Sequence, residues 1–282
     1  IKSGKDFGVC VNPEFLREGQ AINDFLHPNQ TGIVIGELDG RSGDKLLEVI
    51  AKPNAMILRT DLTTAEMIKY SRNAYLAKDI SFANTLASYC EKLGVDYLNV
   101  KNGMEMDGRI GEGRFLSAGI GYGGSCFKKD LRALITHGED NSLDMRLLKA
   151  VEETNELQGS RFLELTRFVL GKVQGANLAI LGVAFKPNTD DVRESRSIKI
   201  AQLLIDEGAR LTIYDPKAMD NAKLILGNKA KYANSAVEAI SGKDAALILT
   251  EWPEFNEPEL YEALGDKVIL DGRRLLDPRK LK

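Results

Sequence analysis

Cys126 follows a run of glycines, Gly119-Ile120-Gly121-Tyr122-Gly123-Gly124, and opens a helical stretch reaching Thr136. A cysteine at a helix amino terminus faces the positive end of the helix dipole, and Lys128 and Lys129 add positive charge beside it. Both features favour a nucleophilic sulfur. Asp130 lies four residues on and shares a helix face with Cys126, which puts a base within reach of anything bonded to the sulfur. The alternative is a small buried cysteine at a tight turn.

Two further pairs have spacings that suit chemistry. Lys69 and Asn73 are four apart and would present an ammonium and an amide to one oxygen, an oxyanion-stabilising arrangement; a solvated helix face has the same spacing. Glu14 and Glu18 follow an apolar run, Gly8 to Val11, within Asn12-Pro13-Glu14-Phe15-Leu16-Arg17-Glu18-Gly19. In open α/β sheets ligands sit at the carboxyl ends of strands, so these carboxylates suit acid–base work. A loop with two exposed acids is the other reading.

The glycine run contains a literal G-x-G-x-x-G, but the dinucleotide fingerprint needs a buried strand before it. Here Arg109 to Ser117 (RIGEGRFLS) precedes it. These glycines are expected instead to let backbone pack closely against a ligand and to set up the turn before Cys126. Lys186 to Asp191 (KPNTDD), after the apolar run Asn177 to Phe185, also lacks the glycines. Asp215, which ends the next strand, is therefore read as a structural turn residue.

The elements that must position these groups read as α/β. Thr31 to Gly36 and Ala55 to Arg59 are expected strands, with a helix over Ser42 to Ala51 between them, as in the tail of a parallel-sheet domain. Thr63 and Glu66 form a capping-box pattern, and residues 64–93 run without glycine or proline until Gly94. Such a helix of about 30 residues, roughly 45 Å long, usually bridges domains or forms a subunit interface. Further helix is expected around 126–137 and 142–170. From Asn177 strands alternate with helices again: Asn177 to Phe185, a helix over Ser195 to Glu207, then Arg210 to Tyr214, Ala245 to Leu249 and Val268 to Leu270. That alternation implies a parallel sheet. The expected domains are 1–60, 61–160 and 161–282. The chain starts Ile1-Lys2-Ser3-Gly4 and enters a strand almost at once, so we expect it to be part of a longer protein.

Composition narrows the classes. The 282 residues are 43% hydrophobic and 28% charged, with a net charge of −3 and signs interspersed. This is ordinary globular composition; no basic patch points to nucleic acid, and no apolar run approaches the roughly 18 residues of a membrane span. With two histidines and three widely spaced cysteines, Cys10, Cys90 and Cys126, a zinc site is not expected, and a reduced, cytoplasmic protein is the simplest reading.

Together, Asn12 to Gly19 (NPEFLREG), Lys69 to Ala77 (KYSRNAYLA), Gly121 to Asp130 (GYGGSCFKKD), Gly182 to Ser195 (GVAFKPNTDDVRES) and Asp271 to Arg274 (DGRR) resemble the UDP-glucose/GDP-mannose dehydrogenase family. The resemblance covers essentially the whole chain in family order, and the glycine–serine–cysteine segment is its most specific part. It implies an α/β fold: the remnant of a Rossmann NAD-binding domain, a central long-helix dimerisation domain, and a Rossmann-like parallel-sheet domain for the nucleotide sugar. It implies NAD as cofactor, a homodimer or higher homo-oligomer, and two successive oxidations at C6 of a nucleotide sugar. Gly121 to Lys129 looks more like the UDP-glucose branch, which makes UDP-glucuronate. GDP-mannose, or a sugar-nucleotide-binding fragment inactive on its own, are the alternatives.

By the same resemblance Cys126 is the nucleophile, through a thiohemiacetal and a thioester. Lys69 and Asn73 stabilise oxyanions, while Asp130, Glu18 and Glu14 serve the hydrolytic half. Phe15, Leu16 and Glu18 line the sugar site; Phe115, Leu116, Gly123, Phe185 and Lys186 hold the nucleotide; Arg273 reaches the substrate; and Arg109 enters the neighbouring subunit's site. Lys129 and Arg193 touch the cofactor, with Glu18 beside it. Lys128 stands where many family members have proline or glutamine.

Overall fold

The computed structural model describes residues 1–28, 31–52, 54–111 and 115–281. The chain divides into two compact units, Ile1–Tyr75 and Leu76–Lys282, and the division falls inside one long helix.

The first unit holds β1 (Cys10–Val11), α1 (Ala21–Leu26), β2 (Ile33–Glu37), α2 (Gly40–Ile50), β3 (Ile57–Thr60) and the start of α3 (Leu62–Leu93). Its sheet has the order β1-β2-β3. β2 and β3 are parallel, with Ile33 opposite Ile57, as the α/β pattern predicts. β1 departs from that expectation and runs antiparallel to β2, with Cys10 opposite Glu37. Pro13, which has no N–H, stands just beyond it. The link to β2 carries only the six-residue α1 rather than a helix that crosses the sheet. Ile33, Val34 and Ile35 supply the buried strand of this small sheet.

α3 starts earlier than the capping-box pattern of Thr63 and Glu66 suggests. Its cap is Asp61, whose carboxylate accepts from the backbone N–H of Thr64 at 2.9 Å and from its hydroxyl at 2.6 Å. A carboxylate there satisfies free amides and complements the helix dipole. The far end matches expectation: Gly94 adopts φ +67° and stops the helix.

The second unit continues through the rest of α3, α4 (Tyr97–Glu105), α5 (Cys126–Asp140) and α6 (Arg146–Leu170). It then forms β4 (Asn177–Leu181), α7 (Arg196–Asp206), β5 (Arg210–Tyr214), α8 (Met219–Leu226), β6 (Ala230–Tyr232), α9 (Ala236–Ile240), β7 (Ala245–Ile248), α10 (Pro258–Leu264) and β8 (Val268–Asp271). All five strands are parallel, in the order β6-β5-β4-β7-β8. The chain winds outward from β4 to β6 and then crosses back to β7 and β8, so the topological switch point lies between β4 and β7. The central strand is buried on both faces: Leu178, Ala179, Ile180 and Leu181 are fully enclosed. β6 escapes sequence reading because its three residues, Ala-Lys-Tyr, form no apolar run. Among the described residues no helix is long and apolar enough to cross a membrane.

Candidate functional site

In the second unit the glycine run is a loop between α4 and α5, with no strand before it among the described residues of that link; residues 112–114 of the Arg109 to Ser117 segment lie outside them. It delivers Cys126 as the first residue of α5, and the cysteine is exposed. Asp130 stands one turn further on the same helix and is buried. The two lysines expected to add charge beside the sulfur have carboxylate partners instead. Lys129 Nζ donates to Asp130 at 2.6 Å, and Lys128 Nζ donates to Glu194 at 2.6 Å and lies 3.2 Å from Glu156. The glycines do allow close approach, but to protein rather than only to a ligand. A Cβ on Gly123 would stand 2.6 Å from the Glu194 carbonyl oxygen, and one on Gly124, at φ +79°, would stand 2.7 Å from a carbon of the Phe185 ring.

Of the candidate substrate residues, Gly123, Phe185, Lys186 and Arg273 gather at the carboxyl ends of β4, β7 and β8, beside the switch point where ligands enter such sheets. Arg273 follows β8. Its guanidinium donates to the carbonyls of Leu249 at 2.8 Å, Gly121 at 3.2 Å and Phe185 at 3.5 Å, and it lies 3.2 Å from the Glu251 carboxylate. One side chain thus ties together the glycine loop, the loop after β4 and the end of β7. Asp271 shapes the turn that presents it by accepting from the N–H groups of Arg273 and Leu276; burial pushes its carboxyl upward from the ordinary value. Lys186 Nζ sits 5.4 Å from the centre of the Phe185 ring. Leu116 is buried, with its carbonyl accepting from the Tyr97 hydroxyl at 2.6 Å, while Phe115 is exposed at φ +58°.

Asp215 is structural, as expected. Its carboxylate accepts from the N–H groups of Val183, Ala184, Lys217 and Ala218 and from the Trp252 indole, all within 3.1 Å. It therefore holds the turns after β4 and β5 and occupies the position of a ribose-binding acid. Arg109 and Arg193 are exposed, each folded back on a nearby carboxylate: Arg109 on Asp107 and Arg193 on Asp191. Neither meets another candidate side chain through those bonds.

In the first unit, Lys69 Nζ donates to the Glu14 carbonyl at 2.5 Å and lies 3.2 Å from the Glu14 carboxylate. Phe15 stacks under Arg72, whose guanidinium carbon is 3.9 Å from the ring centre, and Lys69 Nζ is 5.6 Å from the same ring. Asn73 is buried one turn after Lys69. Glu14, Phe15, Lys69 and Asn73 are thus contributed by one loop and one helix. Arg17 pairs with the buried Asp24, which fixes the loop carrying Leu16 and Glu18.

Several residues that sequence reading did not single out hold the second unit's site in place. Asn155 on α6 accepts from the Tyr122 N–H at 2.8 Å and donates to the Tyr122 carbonyl at 3.1 Å, clasping the glycine loop by its backbone. Arg196, fully buried, donates to the same carbonyl at 3.0 Å and forks onto Glu156 at 2.9 and 3.0 Å. Lys199 lies 3.2 Å from Glu156 and 3.3 Å from Glu194. Helical phase carried one signal: Arg196, Ile200 and Leu204 are spaced by four, so Arg196 shares the face those buried residues occupy. The Arg196 guanidinium, helped by Lys128 and Lys199, holds the Glu156 carboxyl well below the usual carboxylate range. Lys128, with Lys199, also lowers the Glu194 carboxyl from its ordinary value. Burial, more than any neighbouring charge, pushes the Tyr122 phenol up to about 12.

Among the described residues, the β2–α2 junction of the first unit does not form a pyrophosphate cradle for NAD. It is capped by Asp39, which accepts from the Ser42 N–H at 2.9 Å and hydroxyl at 2.8 Å. Glu37 lies against Gly43 in the first turn of α2. Carboxylates thus stand where a pyrophosphate would need free amides.

Comparison with known proteins gives the chain's family. Residues 63–157 match the central domain of the UDP-glucose/GDP-mannose dehydrogenase family, residues 179–278 its UDP binding domain, and residues 1–53 its NAD binding domain. UDP-glucose 6-dehydrogenase TuaD of Bacillus subtilis (strain 168) is 42% identical over 284 residues, covering 100% of this chain and 61% of that protein. UDP-glucose 6-dehydrogenase AglM of Haloferax volcanii is 41% identical, covering 99% of the chain and 66% of that protein. The solved structure of a UDP-glucose dehydrogenase from Pyrobaculum islandicum superposes with a TM-score of 0.89 at 40% identity, covering 99% of this chain and 63% of that one. The chain therefore spans less than two thirds of the length of these relatives. By the match of all three of its domains in order, the chain belongs to the UDP-glucose/GDP-mannose dehydrogenase family.

Proposed function

We propose that the intact protein carrying this chain is an NAD-dependent nucleotide-sugar 6-dehydrogenase that oxidises UDP-glucose to UDP-glucuronate. The observation that carries the reading is Cys126, exposed at the first turn of α5 with the buried Asp130 one turn behind it. Relatives bearing the name UDP-glucose 6-dehydrogenase over the whole chain support the choice of sugar nucleotide.

The chain's own residues then do the following. The Cys126 sulfur adds to the C6 aldehyde carbon, forming a C–S bond as the carbonyl oxygen takes a proton. At the thioester stage, water attacks the acyl carbon, the C–S bond breaks, and the sulfur leaves with the electron pair. Asp130 orients that water or takes its proton. Lys69 and Asn73 stabilise the oxyanions, with Glu14 and Glu18 assisting hydrolysis. Hydride removal is the dinucleotide's chemistry, and the first unit's acidic β2–α2 junction gives no step for it. On the substrate side, Phe185 and Lys186, with Gly123, Phe115 and Leu116, receive the nucleotide, and Arg273 reaches the substrate. Phe15 and Leu16 line the sugar, and Arg109 reaches a neighbouring subunit's site. Lys129 and Arg193 touch NAD.

NADH release by the intact protein tests this. Two NADH per UDP-glucose, with little from GDP-mannose, is the expected result. Turnover of GDP-mannose alone would move the protein to the sister branch. Binding of UDP-glucose without any NADH would favour a sugar-nucleotide-binding module.

The reading includes a homodimer through α3. Tyr75, Phe82 and Tyr89 are exposed aromatics seven residues apart and so share one helix face. Light scattering should give at least a dimer, and Phe82→Glu should shift it to monomer; a monodisperse wild-type monomer would refute the dimer.

A further inference from the structure

The loop that presents Cys126 and the loop that follows β4 are joined by more than packing. Gly124 N–H donates to the Arg193 carbonyl at 3.0 Å. Arg196, at the start of α7, donates to the Tyr122 carbonyl at 3.0 Å. Lys128, two residues beyond Cys126, reaches Glu194 at 2.6 Å and Glu156 at 3.2 Å. Glu156 in turn receives Arg196 and Lys199. Three cations and two carboxylates thus join α5, α6, the end of the loop after β4, and α7. Within this group Lys128 is the one member on the nucleophile's own helix, and its side chain is only 15% exposed.

The other end of the same loop carries Phe185 and Lys186, and the Phe185 carbonyl accepts from Arg273. Between the two ends, the Ser195 hydroxyl donates to the Val183 carbonyl at 2.7 Å and the Phe185 N–H donates to the Asp191 carbonyl at 3.0 Å. A loop pinned internally in this way moves as one piece, so an event at Phe185 is felt at Glu194.

We propose that Lys128 is a positioning residue that couples nucleotide occupancy of the loop after β4 to the placement of Cys126. The ion pair to Glu194 gives the loop a grip on the first turn of α5. Without it α5 keeps its fold but no longer responds to the nucleotide. The inference rests on the reading of Cys126 as nucleophile and of the Phe185–Arg273 region as the nucleotide site.

The test uses the intact protein and UDP as probe. Iodoacetamide alkylation of Cys126 is followed by peptide mass spectrometry, which separates it from Cys10 and the buried Cys90. In the wild type, saturating UDP should change the Cys126 alkylation rate by about fivefold or more, the lower end of ordinary two-site coupling. In Lys128→Met the rate should become indifferent to UDP, while the UDP dissociation constant by calorimetry stays within about twofold, a span of about 0.4 kcal/mol. Lys128→Arg should restore the response, since the pair to Glu194 can re-form, and Glu194→Gln should abolish it as Lys128→Met does. A Lys128→Met protein that keeps the wild-type response, or a wild type that binds UDP with no change at Cys126, would overturn the coupling. Failure of the wild type to bind UDP at all would instead remove the nucleotide-site reading, and the coupling with it.

Discussion

The two units bury their strands very differently. In the second, Leu178 to Leu181 of β4 are fully enclosed, with neighbours on both sides and helices α7 and α9 in the same βα winding. In the first, β3 ends its sheet with Ile57 and Leu58 exposed, and Met56 and Val49 are exposed as well. A parallel sheet normally has both faces covered. The second unit therefore encloses its central strand, whereas the first leaves Ile57 and Leu58 exposed in this chain. Chemistry is distributed in the same way. Cys126, the proposed nucleophile, and the proposed nucleotide residues rest on the well-buried unit, and Lys69, Asn73, Glu14 and Phe15 on the thinner one.

The comparison can be broken most severely at Asp215. Asp215→Ala strips a shared acceptor from four backbone N–H groups and the Trp252 indole. The expected cost is about 4 kcal/mol, since each buried unsatisfied donor costs about 1–3 kcal/mol and water recovers part of that. Thermal melting should show the transition that contains β4 and β5 falling markedly. A melting curve unchanged within error would mean that the carboxylate is dispensable.

A paired truncation sharpens the contrast in burial. Ile180→Ala removes a fully enclosed side chain and should cost about 3 kcal/mol. Leu58→Ala, at 51% exposure, should cost less than about 0.5 kcal/mol if that face is open. Comparable losses in urea unfolding of the intact protein would show that the β3 face is covered there.

Lys69→Ala tests what the thinner unit contributes to the chemistry. Turnover should fall about 100-fold, the loss typical of one oxyanion donor, with little change in KM. Equal losses in kcat and affinity would make Lys69 a binding residue.

The smallest effect is on pH dependence. Arg196, Lys128 and Lys199 hold Glu156 below its ordinary range, and Lys128 with Lys199 holds Glu194 below it. A depressed folded pKa stabilises the native state above the unfolded value, about 4.3 for a glutamate, and that contribution disappears as pH falls through the folded value. The second unit should thus lose stability progressively below about pH 4.3, and Glu156→Gln should flatten that slope. An identical acid profile for the variant would show that the cluster contributes nothing to it.

What could be read from the sequence follows the physics of each signal. The long apolar runs, the break at Gly94 and the helix after Ser195 were legible because period and caps are local. The placement of Cys126 at a helix start was legible from the glycine turn before it, and the rejection of that turn as a dinucleotide fingerprint rested on the absent strand. The antiparallel β1, the three-residue β6 and the partners of Lys128 were not legible. Each depends on residues far away in sequence, such as Glu37 for Cys10, or Glu156 and Glu194 for Lys128. Arg196 lay between these cases: its helical phase announced burial, but nothing local announced Glu156 as its partner.

Acid formation by Cys126→Ser tests the central claim most directly. With UDP-glucose and NAD supplied to the intact protein, the variant should lose UDP-glucuronate production on the order of 1,000-fold or more, while UDP-glucose affinity is retained. Wild-type rates of UDP-glucuronate formation by the serine variant would contradict the thioester account.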